Sequence, residues 1–298
     1  MSKLLIVLLF FVVAITWGTT WIAMKIVLLT IPPLCATSMR FLITAPVLIG
    51  IAIFTKKPLL FPPNKKIFQF FICIFYFLVP FTLMLYGGSY VISSFASMIF
   101  SSMPVLMLVV SIITIREKIC VTKIIGILIS IVSLIVIIIM ELHSNSNNNI
   151  KGVIALLLAV LSHSIIYVKS KYELSKISVF TLNALPSLFS GFVLLILSIF
   201  VEHPNVLNFS IESILALLYL GNISGVCGIL SYFYLQTKVS MLQASIVFLI
   251  FPLISLVLEY YIFDNIISYD ILCMYGFLMI GLCFTLYPCN FFKKRRLI

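Results

Sequence analysis

Apolar runs of about twenty residues follow one another along almost the whole chain, parted by short polar or Pro/Gly-bearing breaks. Wound as helix at about 1.5 Å per residue, a run of that length crosses the roughly 30 Å hydrocarbon core of a bilayer. The pattern predicts ten helices over residues 4–28, 33–54, 67–87, 93–114, 122–140, 152–170, 178–200, 212–236, 242–262 and 270–290. The breaks at Pro32-Pro33 and Gly87-Gly88 are short enough to make spans one and two, and spans three and four, antiparallel hairpins. The start, Lys3 followed by an apolar stretch, resembles a secretory signal. No small-x-small cleavage site follows, however, and the run continues through Trp17 and Trp21, so it reads as a retained first span.

Composition agrees: 63% of the 298 residues are hydrophobic and 9% charged, against about 25% charged in a soluble domain. A water-covered globule is excluded, and the class is an all-α integral membrane protein. The formal charge of +11 raises the question of nucleic acid, which its distribution answers. Lys3, Lys56, Lys57, Lys65, Lys66, Arg116, Lys118, Lys123, Lys169, Lys171, Lys176, Lys238 and the tail Lys293, Lys294, Arg295, Arg296 fall at the N-terminus, in alternate loops or in the tail. The opposite loops hold Lys151 alone, and Lys25 and Arg40 lie inside spans. That asymmetry is the positive-inside signature. It predicts a multi-pass protein with both termini cytoplasmic, its partner the lipid bilayer and not nucleic acid.

The seven cysteines form no CxxC pair and most lie in apolar runs, so neither a disulfide framework nor a zinc site is expected. HExxH, GxSxG and Walker patterns are absent and the three histidines are dispersed. The expectation is a non-enzyme with no cofactor and no metal, its transport driven by a gradient and not by hydrolysis in this chain.

The most polar loop, ELHSNSNNNIK at residues 141–151, stands near the midpoint and leaves five spans on either side. At an offset of 148 residues, YGGSYVISSFASMIFSSMP (86–104) lies against YLQTKVSMLQASIVFLIFP (234–252). Tyr86/Tyr234, Val91/Val239, Ala96/Ala244, Ser97/Ser245, Phe100/Phe248 and Pro104/Pro252 are identical pairs. An odd number of spans per half forces the halves to enter the membrane in opposite directions. The predicted plan is therefore two inverted five-helix repeats around a central cavity, a recurrent transporter design. The repeats cover 1–143 and 152–290, joined by a polar outer linker, 144–151, and followed by a basic cytoplasmic tail, 291–298.

Candidate pathway residues follow from helical spacing and from cost. Positions seven apart share a face, giving Ser97, Pro104 and Ser111 in span four and Ser245, Pro252 and Glu259 in span nine. A mid-span proline frees a backbone carbonyl, which in lipid needs another partner or water, so such a face turns inward. Close packing through small residues is the competing reading. Charges placed mid-span cost about 2.5–3.5 kcal/mol each and usually face a bundle interior or wet cavity. Lys25, Arg40 and Glu259 are all expected in the outer half of the membrane. For Lys25, in AITWGTTWIAMK, a polar cavity beside Trp21 competes with snorkelling to the interface, where the Trp17/Trp21 pair would form part of an aromatic belt. Glu259 either neutralises one of the cations or acts directly. His163, in SHSIIYVK, carries protons or makes an interhelical hydrogen bond. Asn222 in YLGNISG and Tyr86 complete the candidates, with Tyr76, Tyr219, Tyr232 and Tyr234 as further aromatic candidates.

Taken together, AITWGTTWIAMK, IPPLCATSMRF (31–41) and the stretch 93–137 resemble an EamA-type member of the drug/metabolite transporter superfamily. That stretch has a small-residue fourth span, Pro104, and an acid thirteen positions on, Glu117. Trp17, Gly18, Lys25, Pro33, Arg40, Phe41, Pro104 and Glu117 match. The second copy departs, with Asn265 thirteen residues after Pro252 and a glutamate earlier, at 259. The resemblance implies two five-helix repeats around a cavity, and export of small metabolites or amino acids across the bacterial inner membrane. The charge balance favours a substrate with a carboxylate or other anionic group, its apolar part held by aromatic side chains. The alternatives are a polyisoprenoid or lipid-head-group flippase or membrane-embedded enzyme, which needs a lateral opening or a catalytic cluster, and a scaffold, which predicts no continuous polar cavity.

Overall fold

The computed structural model describes residues 3–115, 119–144, 149–173, 177–239, 244 and 246–287. They are helical, with no strand among them. We number the spans α1 (Lys3–Val27), α2 (Pro33–Phe54), α3 (Pro63–Gly88), α4 (Ser93–Ser101 and Met103–Ile115), α5 (Val121–Ser144), α6 (Asn149–Glu173), α7 (Val179–Val201), α8 (Ile211–Lys238), α9 (Val247–Phe263) and α10 (Tyr269–Leu286). Among the described residues, nine helices are long and apolar enough to cross a membrane, and α9, at 17 residues, is a shorter apolar helix.

The sequence explains most boundaries. Pro32 is extended (ψ 152°) and Pro33 sits at the first turn of α2, where a missing N–H costs nothing. The next two donors, the Leu34 and Cys35 N–H groups, go to the Glu202 carboxylate at 2.7 and 2.9 Å, an acid from the end of α7 set against the positive end of the α2 dipole. In α4 the helix breaks at Ser102, two residues before Pro104. There the Ser101 and Ser102 hydroxyls donate back to the Met98 and Ile99 carbonyls, each at 2.6 Å, which keeps the break satisfied where no water is at hand. Five described cysteines are free, whereas Cys120 is disulfide-bonded, a link for which the cysteine spacing held no signal.

The packing has a regular plan. α2 lies on α7, α5 on α10 and α4 on α9; α1 packs on α8 and α9, while α6 packs on α3 and α4. Exchanging each helix of the first five with the helix five places later maps these contacts onto themselves. The α5–α10 pair approaches through glycine: a Cβ on Gly126 would stand 2.7 Å from the Gly281 carbonyl oxygen, and one on Gly281 would stand 2.9 Å from that of Gly126. Apolar side chains on the outward face of α5, Val121, Ile124, Leu128, Val132, Ile135 and Ile139, recur at helical spacing and are exposed. In water such a stripe is unfavourable; in lipid it is the surface the solvent requires. By contrast, every residue of Ser93–Ser101 in α4 is buried.

Two stretches wind as π-helix, Cys73–Leu78 in α3 and Leu220–Gly228 in α8. A shift of 148 carries the first onto residues 221–226, inside the second. A π turn misaligns the backbone ladder and presents carbonyls sideways, and neighbouring helices fill the gap. The Ser190 hydroxyl of α7 donates to the Cys73 carbonyl (2.9 Å), and the Thr44 hydroxyl of α2 donates to the Gly221 carbonyl (2.7 Å). Those two carbonyls are themselves 148 residues apart.

Candidate functional site

The π stretches face a central cavity of about 90 Å³. Helical spacing selects its walls: Trp17, Thr20 and Trp21 from α1, Arg40 from α2, Tyr76, Phe81 and Met84 from α3, Phe100 and Met103 from α4, His163 and Tyr167 from α6, Ser224 and Ile229 from α8, and Phe248 and Phe251 from α9.

Arg40 is the charge in this wall. It is 4% exposed. Its Nη2 donates to Ser224 Oγ at 3.3 Å, its guanidinium carbon lies 4.9 Å from the centre of the Phe81 ring, and Nη1 is buried with no hydrogen-bond partner among the described residues. Ser224 also shares a 2.7 Å hydrogen bond with the Thr20 hydroxyl. Opposite polar groups come from α3 and α6: the Tyr76 and Tyr167 hydroxyls are 3.1 Å apart, and His163 Nε2 lies 3.1 Å from the Tyr76 carbonyl, itself exposed by the π turn. Aromatic rings form most of the remaining surface, beside Met84, Met103 and Ile229, with Trp17 5.6 Å from Phe248 and Trp21 4.8 Å from Phe100; Tyr232 backs Trp17 at 4.6 Å. A guanidinium with spare donors in an apolar wall suits a small molecule with one anionic group and a flat or apolar body.

Of the residues singled out from sequence, Trp17, Trp21, Arg40, Tyr76 and His163 meet at this cavity. Lys25 and Glu259 meet each other instead. Lys25 Nζ is 2.5 Å from Glu259 Oε1 and 4.1 Å from the centre of the Phe263 ring. Lys25 is thus paired rather than snorkelling alone, one turn beyond Trp21. Pro252 is buried beside Phe251 without lining the cavity, and Ser97 is buried with its hydroxyl on the Ser94 carbonyl at 2.6 Å. Pro104 follows the α4 break. Asn222 donates to the Leu218 carbonyl of its own helix (3.2 Å), and Tyr86 is exposed, accepting from the Tyr90 hydroxyl at 3.2 Å. Ser245 and Glu117 lie outside the described residues. Sequence reasoning missed Thr20, Phe81, Met84, Met103, Tyr167, Ser224, Ile229 and Phe251.

Apolar helices of spanning length around an aromatic cavity define the class of a multi-pass membrane protein. The chain belongs to the EamA-like transporter family, whose model matches it twice, over residues 4–139 and 150–287. An uncharacterized transporter of Buchnera aphidicola subsp. Schizaphis graminum is 53% identical over 298 residues, covering 99% of this chain and 98% of that one. Protein PagO of Salmonella typhimurium is 48% identical over 290 residues, covering 97% and 95%. A solved crystal structure, 16% identical, matches with a TM-score of 0.68 over 95% of this chain and 96% of its own, and shares the fold.

The double match carries over to the cavity wall. A shift of 148 takes Tyr76 to Ser224, Phe81 to Ile229, Phe100 to Phe248 and Met103 to Phe251, and all eight residues line it. A shift of 146, the distance between the two matched starts, takes Trp17 and Trp21 to His163 and Tyr167, which line it too.

Proposed function

We propose that this protein is a secondary transporter that exports a small metabolite or amino-acid-like compound bearing an anionic group across the bacterial inner membrane. Its two halves, residues 1–143 and 152–290, act as inverted five-helix repeats that rock about the central cavity. The supporting pattern is the pairing of wall residues at shifts of 148 and 146, since a cavity built from equivalent positions of both halves lies on the axis relating them. The Lys/Arg asymmetry supports cytoplasmic termini, with the helix hairpins α1–α2, α3–α4, α5–α6, α7–α8 and α9–α10 joined on the outer side.

The observation that carries the cargo assignment is Arg40. Lys25 and Glu259 neutralise each other, so the cavity wall is left with one positive charge whose Nη1 has no protein partner. A buried charged donor without a partner costs more than the roughly 1–3 kcal/mol of a neutral one. A carboxylate or similar anion arriving between Arg40 and the Ser224–Thr20 pair repays that cost, while Trp17, Trp21 and His163 pack its body. Ser97, Pro104 and Pro252 act as packing and hinge positions of α4 and α9. Asn222 and Tyr86 belong to the flanks of the path.

The test is a metabolite profile of medium and cells, with the protein expressed, omitted, or carrying Arg40→Ala. The account expects one or more anionic metabolites to rise in the medium with the wild type and to fall to the no-protein level with Arg40→Ala. A profile indifferent to the protein, or an exported set unchanged by Arg40→Ala, contradicts it.

A further inference from the structure

Beyond the cavity, a second polar cluster ties the two halves together. Glu259 is fully buried. Its Oε1 accepts from Lys25 Nζ at 2.5 Å and from Asn265 Nδ2 at 2.7 Å, and its Oε2 is buried without a partner among the described residues. Lys25 comes from α1 and Glu259 from α9, helices of different halves that pack on each other. Asn265 reaches back because α9 ends at Asp264 in the left-handed region (φ 52°), a conformation Asp tolerates better than most residues. The Phe263 ring covers the ammonium.

The cluster's position gives it a role. On one side, Lys25 stands one helical turn beyond Trp21, which lines the central cavity. On the other, Asn265 lines a recess of about 700 Å³ formed by α4, α5 and the α9–α10 connection, with Glu141, His143 and Asp270 in its wall. A chain of contacts thus joins the two: Lys25, a turn from Trp21, pairs with Glu259, which accepts from Asn265 of the recess. We propose that Lys25, Glu259 and Asn265 are the outer gate of the path, an ionic latch that holds α1 to α9 and separates the cavity from the outer recess. It goes beyond the transporter reading and rests on it only in requiring a path to close.

The latch belongs to one end of the molecule. A shift of 148 places Ser111 of α4 where α9 has Glu259, so this carboxylate is particular to α9. The pair also suits reversible closure. Glu259 keeps the Asn265 amide when Lys25 leaves, so opening does not strip the buried carboxylate of every partner.

The test is hydrogen–deuterium exchange of the purified protein in lipid nanodiscs, which needs no knowledge of the cargo. Glu259→Gln and Lys25→Met should each speed exchange at residues 22–30 and 258–268 by about tenfold or more, with the other helices at the wild-type rate. The double charge swap Lys25→Glu with Glu259→Lys should return most of that protection, because the pair re-forms with opposite sense and the Asn265 amide can turn its oxygen to the ammonium. Unchanged local exchange in both single variants overturns the gate. So does a rise spread through all the helices that the swap fails to reverse, which marks the cluster as packing alone. Failure of the cargo reading leaves either result intact, since Arg40 takes no part in it.

Discussion

Arg40 and Lys25 are both cations inside apolar helices, yet the structure gives them different fates. Lys25 has a carboxylate at 2.5 Å; Arg40 has a hydroxyl at 3.3 Å and an aromatic face. The contrast predicts a split between substitutions. Arg40→Lys keeps the charge but loses the planar fork that binds a carboxylate with two parallel hydrogen bonds. It should retain transport at a level roughly tenfold below wild type, against complete loss for Arg40→Ala, in an efflux assay with matched expression. Equal activity of the Lys and Arg forms would mean that only a point charge is read. The expense of the ionic side chains made them visible in sequence, and so did the alternative that Glu259 neutralises one of the cations. Ser224 and Thr20 were invisible for the opposite reason: hydroxyl side chains are cheap in helices, where each can bond its own backbone, and nothing local distinguishes a wall residue from a packing one.

At the scale of elements, the span limits were readable because lipid demands a fixed length of apolar helix. The π stretches were not, since Cys73–Leu78 and Leu220–Gly228 depend on hydroxyls supplied by other helices, Ser190 and Thr44. Those hydroxyls offer a measurable consequence. Ser190→Ala and Thr44→Val each leave a π-turn carbonyl without its external donor, at a cost of about 0.6 kcal/mol and up to about 1.7 for interhelical hydrogen bonds in a membrane protein. Each should lower the Tm of the detergent-solubilised protein by a few degrees, since each bond joins a helix of one half to a helix of the other. At the α5–α10 crossing, Gly126→Leu forces the helices apart where a Cβ already meets backbone; overpacking of this kind costs about 1–3 kcal/mol. A Tm equal to wild type for Gly126→Leu would contradict the close approach.

For the whole molecule, the 148-residue offset first noticed in spans four and nine reappears as the pairing of wall residues, π turns and helix contacts. The sequence match rested on small and aromatic residues such as Ser97/Ser245 and Phe100/Phe248, and of these the phenylalanine pair lines the cavity. Functional equivalents such as Tyr76 and Ser224 differ in type, so identity alone could not reveal them. The proposed inverted arrangement, oriented by the Lys/Arg asymmetry, predicts a topology that can be checked directly. A reporter fluorescent only in the cytoplasm should light up when fused after residue 298 and stay dark when inserted within 144–151. The reverse result would invert the path and place the Lys25–Glu259 latch at the inner face. The central claim, that Arg40 in a cavity shared by both halves reads the anionic group of the cargo, is tested most directly by efflux from proteoliposomes. Vesicles loaded with a bacterial metabolite extract and carrying the wild-type protein should release a set of anionic compounds that vesicles carrying Arg40→Ala retain; release of the same set by both proteins, or by neither, would contradict it.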